Sequence, residues 1–305
     1  MKVECLVSVI VLTFRRFDNL ENNINSILSQ SYRNVEIIIS DDGSDNFNKE
    51  KIELLFKGTS FKYKIFHTSN NLGTVKNFNR AIENSNGKYI IPLSQDDCFA
   101  NSTVIEHIVT FFEKNNCEIL TAKRKGITSG MVFPNDVDCN LLLGNKQDLI
   151  ERLLVSNFIS GACTYYTKES LIRNGMFDPE FVLLEDYPYY LKAVLNGKKI
   201  DFLDEIVINY GESGVSSGNV TNMILKRDFV NLMDKYIMPN IGKVESRTGK
   251  RFILRTYNIL KCNTVLKKIL VALKYIDITL ISKYYLKIKK HSFEYFCYKI
   301  FTSKK

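Results

Sequence analysis

The chain reads as an α/β protein: an open, mostly parallel sheet flanked by helices, followed by a basic, mostly helical C-terminal extension. Three observations carry this reading. Residues 7–13 (VSVIVLT), 35–40 (VEIIIS) and 88–93 (KYIIPL) are short apolar runs rich in β-branched residues, the pattern of parallel strands buried on both faces. Segments with apolar residues at helical spacing separate them, and strand–helix alternation predicts a parallel sheet. Two of the runs stop at adjacent carboxylates, Asp41-Asp42 and Asp96-Asp97.

Taken in order, Asp18 with Glu21 three residues later has the form of a capping box. The helix it opens carries Leu20, Ile24, Ile27 and Leu28 on one face. Residues 62–67 form a short third strand. The segment 73–86 has helical spacing through Val75, Phe78, Ala81 and Ile82, and leads into the strand 88–93. Asn101 or Ser102 caps a helix over Val104, Ile105, Ile108, Val109 and Phe112, and 118–122 is a fifth strand. Residues 124–145 read as irregular loop. A helix over 147–156, a strand-like stretch over 158–166 and a short helix over 168–174, closed by Gly175, follow. The segment 184–195 reads as a helix opening with Glu185-Asp186, 206–210 as a strand, and 211–219 as a Gly/Ser-rich loop. Helices are expected beyond it.

A length of 305 residues supports one large or two medium domains. Seven dispersed cysteines with no CxxC pair predict reduced thiols and no disulfide framework; with three scattered histidines, no zinc site is visible. No uncharged apolar run of about 18 residues is present, so no membrane span is expected, and no signal segment is read at the N-terminus. The net charge of +9 is uneven. Residues 250–305 hold 14 Lys/Arg against Asp277 and Glu294 only, while the rest of the chain is slightly acidic. Such asymmetry points to an anionic partner surface.

In open α/β sheets ligands bind outside the carboxyl ends of the strands. Thr13, Asp41-Asp42 and Asp96-Asp97 all fall at such ends. Two adjacent carboxylates at the end of a buried strand repel each other and resist desolvation. A divalent cation removes that cost, and Mg²⁺ commonly sits between one or two carboxylates and a substrate phosphate. The residues therefore suggest a Mn²⁺ or Mg²⁺ ion holding a phosphorylated ligand. No GxGxxG follows the first strand and no P-loop is present, which argues against a dinucleotide oxidoreductase or a P-loop enzyme.

The blocks VSVIVLTFRR, VEIIISDDGSDN, NNLGTVKNFNRAIENSNGKYIIPLSQDD and LLEDYPYYLKAVLNGKKI together resemble the family 2 inverting glycosyltransferases, whose GT-A fold is Rossmann-like and binds nucleotide-diphospho-sugars. The resemblance covers roughly residues 5–215. It implies a GT-A catalytic domain over 1–215, with a nucleotide half (1–123) and an acceptor half (124–215), and a helical basic region over 216–305. It implies nucleotide contacts from Thr13, Phe14, Arg15, Asp41 and Asp42, with Asn71, Lys76 and Arg80 near the diphosphate or base, and Ser94, Gln95 and Asp96 beside the ribose and phosphates. The metal motif of the family, often written DXD, corresponds to Ser94-Gln95-Asp96-Asp97. Ser94 stands where the first acid is expected, leaving Asp96 and Asp97 as metal ligands. Glu185-Asp186 matches the acidic pair that contains the catalytic base, with Asp186 as base and Glu185 toward the acceptor or the metal shell. Gly161 matches an acceptor-side strand. Relatives often carry a His in the loop 211–217; here Glu212 and Ser213 stand there.

The implied reaction is transfer from a nucleotide sugar, UDP-linked by expectation, to a saccharide or lipid-linked saccharide, with inversion, in bacterial surface polysaccharide synthesis. A non-catalytic nucleotide-sugar- or membrane-binding relative is the alternative. The tail has an apolar stripe of Leu266, Ile269, Leu270, Leu273, Ile276 and Leu280 among lysines, then Tyr284, Tyr285, Phe293, Tyr295, Phe296 and Phe301. It suits an interfacial helix on anionic lipid or a mini-domain packed on the catalytic body with a solvated Lys face. No nucleic-acid module is recognisable. The expected location is cytoplasmic, peripheral to the inner face of the membrane if the tail binds lipid.

Overall fold

The structure, a computed structural model, describes residues 4–212 and 223–275. The chain divides into two compact units, Met1–Asp228 and Phe229–Lys305.

The first unit is built on a sheet of nine strands among the described residues. β1 (Val7–Thr13) lies between β2 (Val35–Asp41) and β4 (Tyr89–Ser94), with β3 (Lys62–His67) outside β2, and all four run parallel. Beyond β4 the sheet becomes mixed. β8 (Thr164–Thr167) is antiparallel to both β4 and β6 (Ile119–Gly126), and β9 (Asp201–Tyr210) is parallel to β6. The two-residue strands β5 (Cys98–Phe99) and β7 (Val132–Phe133) pair antiparallel with β9 and β6.

Burial explains the central strands. Val7, Val9, Ile10 and Val11 on β1 and Ile37, Ile38 and Ile39 on β2 are fully enclosed, and burying each such side chain is worth about 1.5–3 kcal/mol. One face is covered by α1 (Leu20–Leu28) through Leu20, Ile24 and Ile27, and by α4 (Val104–Asn115) through Ile105, Ile108 and Phe112. α2 (Lys49–Leu54) contributes Ile52 to the same core. α3 (Thr74–Glu83) also buries one face, with Val75, Phe78, Ala81 and Ile82.

Several expectations are corrected. Asp18 does not cap α1. Asn19 holds the N-cap position and makes no side-chain cap; its amide donates instead to the Asp96 carbonyl (3.0 Å), so a tertiary contact has taken the capping residue. Neither Asn101 nor Ser102 caps α4. Thr103 stands at that position, and the Asn101 side chain accepts from the Thr103 N–H and hydroxyl, both at 2.9 Å. The stretch 124–145 is not irregular. β6 continues to Gly126, β7 pairs with it, and α5 (Asp136–Leu143) follows, opened by Asn135 accepting from the Asp138 N–H. α6 (Lys146–Val155) starts one residue before its expected place. The strand-like stretch 158–166 contains a 3₁₀ turn, Gly161–Cys163, and only then β8. α7 (Lys168–Arg173) ends before Gly175, whose φ of +79° only glycine adopts without strain. α8 (Asp186–Leu195) begins at Asp186 with Glu185 as its N-cap residue.

α9 (Met223–Leu232) crosses the division between the units at Asp228. The second unit continues through a π turn and a 3₁₀ turn into α10 (Arg247–Lys261) and α11 (Val265–Lys274). On α11, Leu266, Leu270 and Leu273 are more than half exposed, while Ala272 is buried. Ile276, Leu280 and the aromatic residues after them lie outside the described residues, as does Ser213. None of the six described cysteines is in a disulfide. No described helix is long and apolar enough to cross a membrane.

Candidate active site

Strand register assembles the site. Thr13 pairs with Asp41, and Leu12 pairs with Ser94. The C-terminal ends of β1, β2 and β4 therefore lie side by side, and the residues just after them share one edge. Thr13, Phe14, Arg15, Asp41, Asp42, Ser94, Gln95, Asp96 and Asp97 all fall there.

At the end of β2 every carboxylate oxygen has a donor. Asp41 is fully buried; its Oδ1 accepts from Thr13 Oγ1 (2.9 Å) and Ser44 Oγ (2.6 Å). Its Oδ2 accepts from the Ser44 N–H and from His67 Nδ1, both at 2.8 Å. Burial alone would raise its pKa, but the Ser44, His67 and Thr13 hydrogen bonds together hold it below the usual carboxylate range. Ser44 Oγ in turn accepts from the Arg15 N–H (2.7 Å), fixing Arg15 in the left-handed region at φ +60°. Asp42 accepts from the N–H groups of Leu72 (2.7 Å) and Gly73 (3.0 Å) and so ties the 70–73 loop to the strand end. Burial still pushes its carboxyl up. Asn71 closes the same loop by accepting from the Gly73 N–H (2.9 Å). Arg80 sends one nitrogen to Ser40 Oγ, the Asp41 carbonyl and Asn77 Oδ1, at 2.8–2.9 Å. Lys76 is exposed on α3.

At the end of β4 the opposite holds. Asp97 is fully buried and accepts one N–H, from Gly211 (2.8 Å), on Oδ1; its buried Oδ2 has no hydrogen-bond partner. Burial, aided by the neighbouring Asp96 charge, pushes the Asp97 carboxyl up to about 8. Asn23 on α1 fixes the turn by donating to the carbonyls of Ser94 (2.8 Å) and Asp97 (2.7 Å). Gln95 accepts from the Phe14 N–H (3.3 Å), joining this turn to the end of β1. An open cavity of about 660 Å³ is lined by Asn19, Asp96, Ile127, Thr128, Ser129, Gly211 and Glu212. A side chain at Gly211 would meet the Asp96 carbonyl at 2.4 Å, so this approach requires glycine. Glu212 accepts from the N–H groups of Thr128 and Ser129, both at 2.8 Å, and shapes the cavity wall. Among the described residues no cluster of three or more His, Cys, Asp or Glu forms a metal cage.

Arg124, on β6, lies between this turn and the 160–161 segment. It donates to Ser160 Oγ (2.9 Å), stacks 3.6 Å from the Tyr210 ring centroid, and partly offsets the Asp97 charge. One residue beyond Ser160, Gly161 abuts Asp186; a Cβ there would lie 3.1 Å from Asp186 Oδ2. Asp186 Oδ1 accepts from the Tyr187 N–H (2.6 Å). Burial raises the pKa of Asp186, opposed by the N–H groups of Tyr187 and Gly161; burial and the Asp186 charge raise Glu185. Ser44, His67, Asn23 and Arg124 also build the site, and none of them stands out as a site residue in the sequence. His67, Asn23 and Arg124 act through partners 26, 71 and 36 positions away, whereas Ser44 bonds Asp41 within its own turn and Arg15 from 29 positions away.

Comparison with known proteins shows the family and the fold. The model of glycosyl transferase family 2 matches residues 8–175, and the chain belongs to that family. It is 29% identical over 285 residues to an uncharacterised glycosyltransferase of Haemophilus influenzae, covering 87% of this chain and 84% of that protein. It is 28% identical over 277 residues to one of Rickettsia felis, of which it spans 44%. Among solved structures, Staphylococcus aureus TarS (residues 1–349) in complex with UDP-GlcNAc superposes with a TM-score of 0.64 at 21% identity, covering 89% of this chain and 80% of that one. The Pyrobaculum calidifontis mannosyltransferase PcManGT, in complex with GDP-Man and Mn²⁺, has a TM-score of 0.60 at 13% identity, covering 90% and 75%. The fold is the expected GT-A fold, and the chain is a family 2 glycosyltransferase.

Proposed function

We propose that this chain moves a sugar from a UDP-sugar onto a hydroxyl of a saccharide or lipid-linked saccharide, with inversion at the anomeric carbon. The observation that carries the reading is the half-satisfied carboxylate pair at the end of β4. Asp97 keeps a buried oxygen without a partner, and Asp96 lines an open cavity large enough for a diphosphate and sugar. That donor set fits Mn²⁺ or Mg²⁺, which takes one or two carboxylates and leaves its remaining positions to phosphate oxygens and water. Such an ion supplies charge neutralisation to the leaving diphosphate. TarS in complex with UDP-GlcNAc and with UDP supports the choice of donor, and PcManGT supports the cation.

The chain's own residues act around this. The end of β1, the Ser44 turn and the α3 side hold the nucleoside. Asp186 takes the proton of the acceptor hydroxyl as its oxygen attacks the anomeric carbon and the bond to the diphosphate breaks. Its raised pKa suits a base working near neutral pH. Gly161 leaves room beside the base that any larger residue would fill.

The test is release of UDP from a panel of UDP-sugars with Mn²⁺ and with EDTA. Asp186→Asn lowers transfer roughly 10³-fold or more while UDP affinity stays within about twofold. Transfer by this variant at the wild-type rate would reject the base. No release from any donor by the wild type would favour the non-catalytic alternative.

The basic C-terminal region is proposed to rest on anionic lipid at the inner face of the cytoplasmic membrane, in surface polysaccharide synthesis. Support comes from the charge of residues 250–305 and the exposed leucines of α11. The full chain is expected to bind phosphatidylglycerol vesicles, and Leu266→Glu with Leu270→Glu to lose most of that binding. Equal binding by this double variant would reject the proposal.

A further inference from the structure

One buried acid lies outside everything above. Asp228, on α9, has no exposed surface. Its Oδ2 accepts from three consecutive backbone N–H groups, Val182 (2.9 Å), Leu183 (2.7 Å) and Leu184 (3.2 Å). These residues immediately precede Glu185 and Asp186. Consecutive N–H groups converging on one anion form a nest, here filled by a side chain from 44–46 residues away. Without it, three backbone donors in a partly buried loop lack partners, which is unfavourable.

The same loop touches the nucleotide half. The Val182 carbonyl accepts from the Val75 N–H (3.2 Å) at the start of α3. Gly73, at φ +85°, packs so closely that a Cβ would meet Val182 Cγ1 at 2.5 Å. Gly73 is itself held by Asp42. Two buried acids thus grip the two sides of one loop–loop contact, Asp42 from the nucleotide side and Asp228 from the acceptor side.

We infer that Asp228 is a positioning residue of the transfer reaction: it clamps 182–184 so that the Glu185-Asp186 pair faces the site, in register with the diphosphate end of the nucleotide half. It touches no reacting atom. The Asp228 charge also contributes to the raised pKa of Glu185. The inference deepens the proposed function and rests on its assignment of Asp186.

The test compares Asp228→Ala, Asp228→Asn and Asp186→Asn with the wild type in the full chain. Amide hydrogen exchange is followed over 182–187, and UDP release from UDP-GlcNAc with Mn²⁺ is measured. In Asp228→Ala, exchange over 182–187 rises roughly tenfold or more while that of β1 is unchanged. Turnover falls roughly 10–10²-fold with KM for the donor within about twofold. Asp228→Asn keeps an acceptor oxygen for the three N–H groups and restores most of both. Unchanged exchange over 182–187 in a folded Asp228→Ala protein, or a loss confined to KM, overturns the inference. If Asp186→Asn keeps full turnover, the base assignment fails and the positioning role falls with it, whatever the exchange over 182–187. If the wild type releases no UDP from UDP-GlcNAc, that donor is excluded, and the exchange result decides the clamp by itself.

Discussion

Two acidic pairs end strands that flank β1 in one sheet, and the protein treats them differently. At Asp41-Asp42 each carboxylate is met by donors from its own turn, from β1, from β3 and from the 70–73 loop. At Asp96-Asp97 the buried acid has one N–H and an oxygen without a partner. The first pair is closed: each of its oxygens accepts a hydrogen bond from the protein, as a scaffold contact does. In the second, Asp97 keeps a buried oxygen without a donor, and Asp96 lines a cavity. The same Asp-Asp step therefore meets two different environments, set by how many donors converge on it.

Four substitutions or titrations break or sharpen this contrast. The largest effect is expected for Asp41→Ala, which strands three side-chain partners and a backbone N–H; unfolding free energy in urea should fall by about 3–5 kcal/mol. A loss under about 1 kcal/mol would mean that the closed pair is not scaffold. Next comes Asp97→Asn. It should stabilise the metal-free protein at pH 8.5 by about 1–3 kcal/mol, because a buried charge is removed. It should also cut Mn²⁺-enhanced UDP binding, read by calorimetry, roughly tenfold. Destabilisation at pH 8.5 would place Asp97 with the scaffold.

The pH dependence should split the same way. Asp41 has a lowered folded pKa, so its unfolded form binds more protons near and below its ordinary value. Its stabilisation is present above about pH 4 and is lost as pH falls through the folded pKa. Asp97 has a raised folded pKa of about 8, so between its ordinary value and about 8 the folded form binds more protons. Stability of the metal-free protein should therefore drop as pH rises across that window. Thermal melts in EDTA check both limbs; Asp97→Asn should flatten the upper one. The smallest effect is expected for Ser44→Ala, about 1–2 kcal/mol, since it removes one donor to Asp41 and the acceptor for the Arg15 N–H. No change would show that the 41–44 turn is held by its backbone alone.

Much of the sheet was legible in the chain. The strands β1, β2 and β4 are enclosed on both faces, so their apolar runs were continuous and their ends sharp. α3 and α4 showed through because one face of each is buried. α5 was hidden: DVDCNLLL has no clear helical period, and it is the Asn135 cap and its neighbours that define it. β7 has two residues and exists only by pairing with β6. The Asp18 capping box failed because Asn19 was recruited by the turn after β4.

The sequence by itself determined where β1, β2 and β4 end, which acids stand at those ends, and that a basic tail follows a near-neutral body. These depend on neighbours within a few residues, where burial period and turn chemistry act. Only the tertiary structure decided which acids are satisfied. Asp97 meets Gly211 from 114 positions away, Asp41 meets His67 across two strands, and Asp228 reaches back to the loop before Asp186. Hydrogen bonds and desolvation depend on distance in space, and the chain alone does not order its residues by that distance.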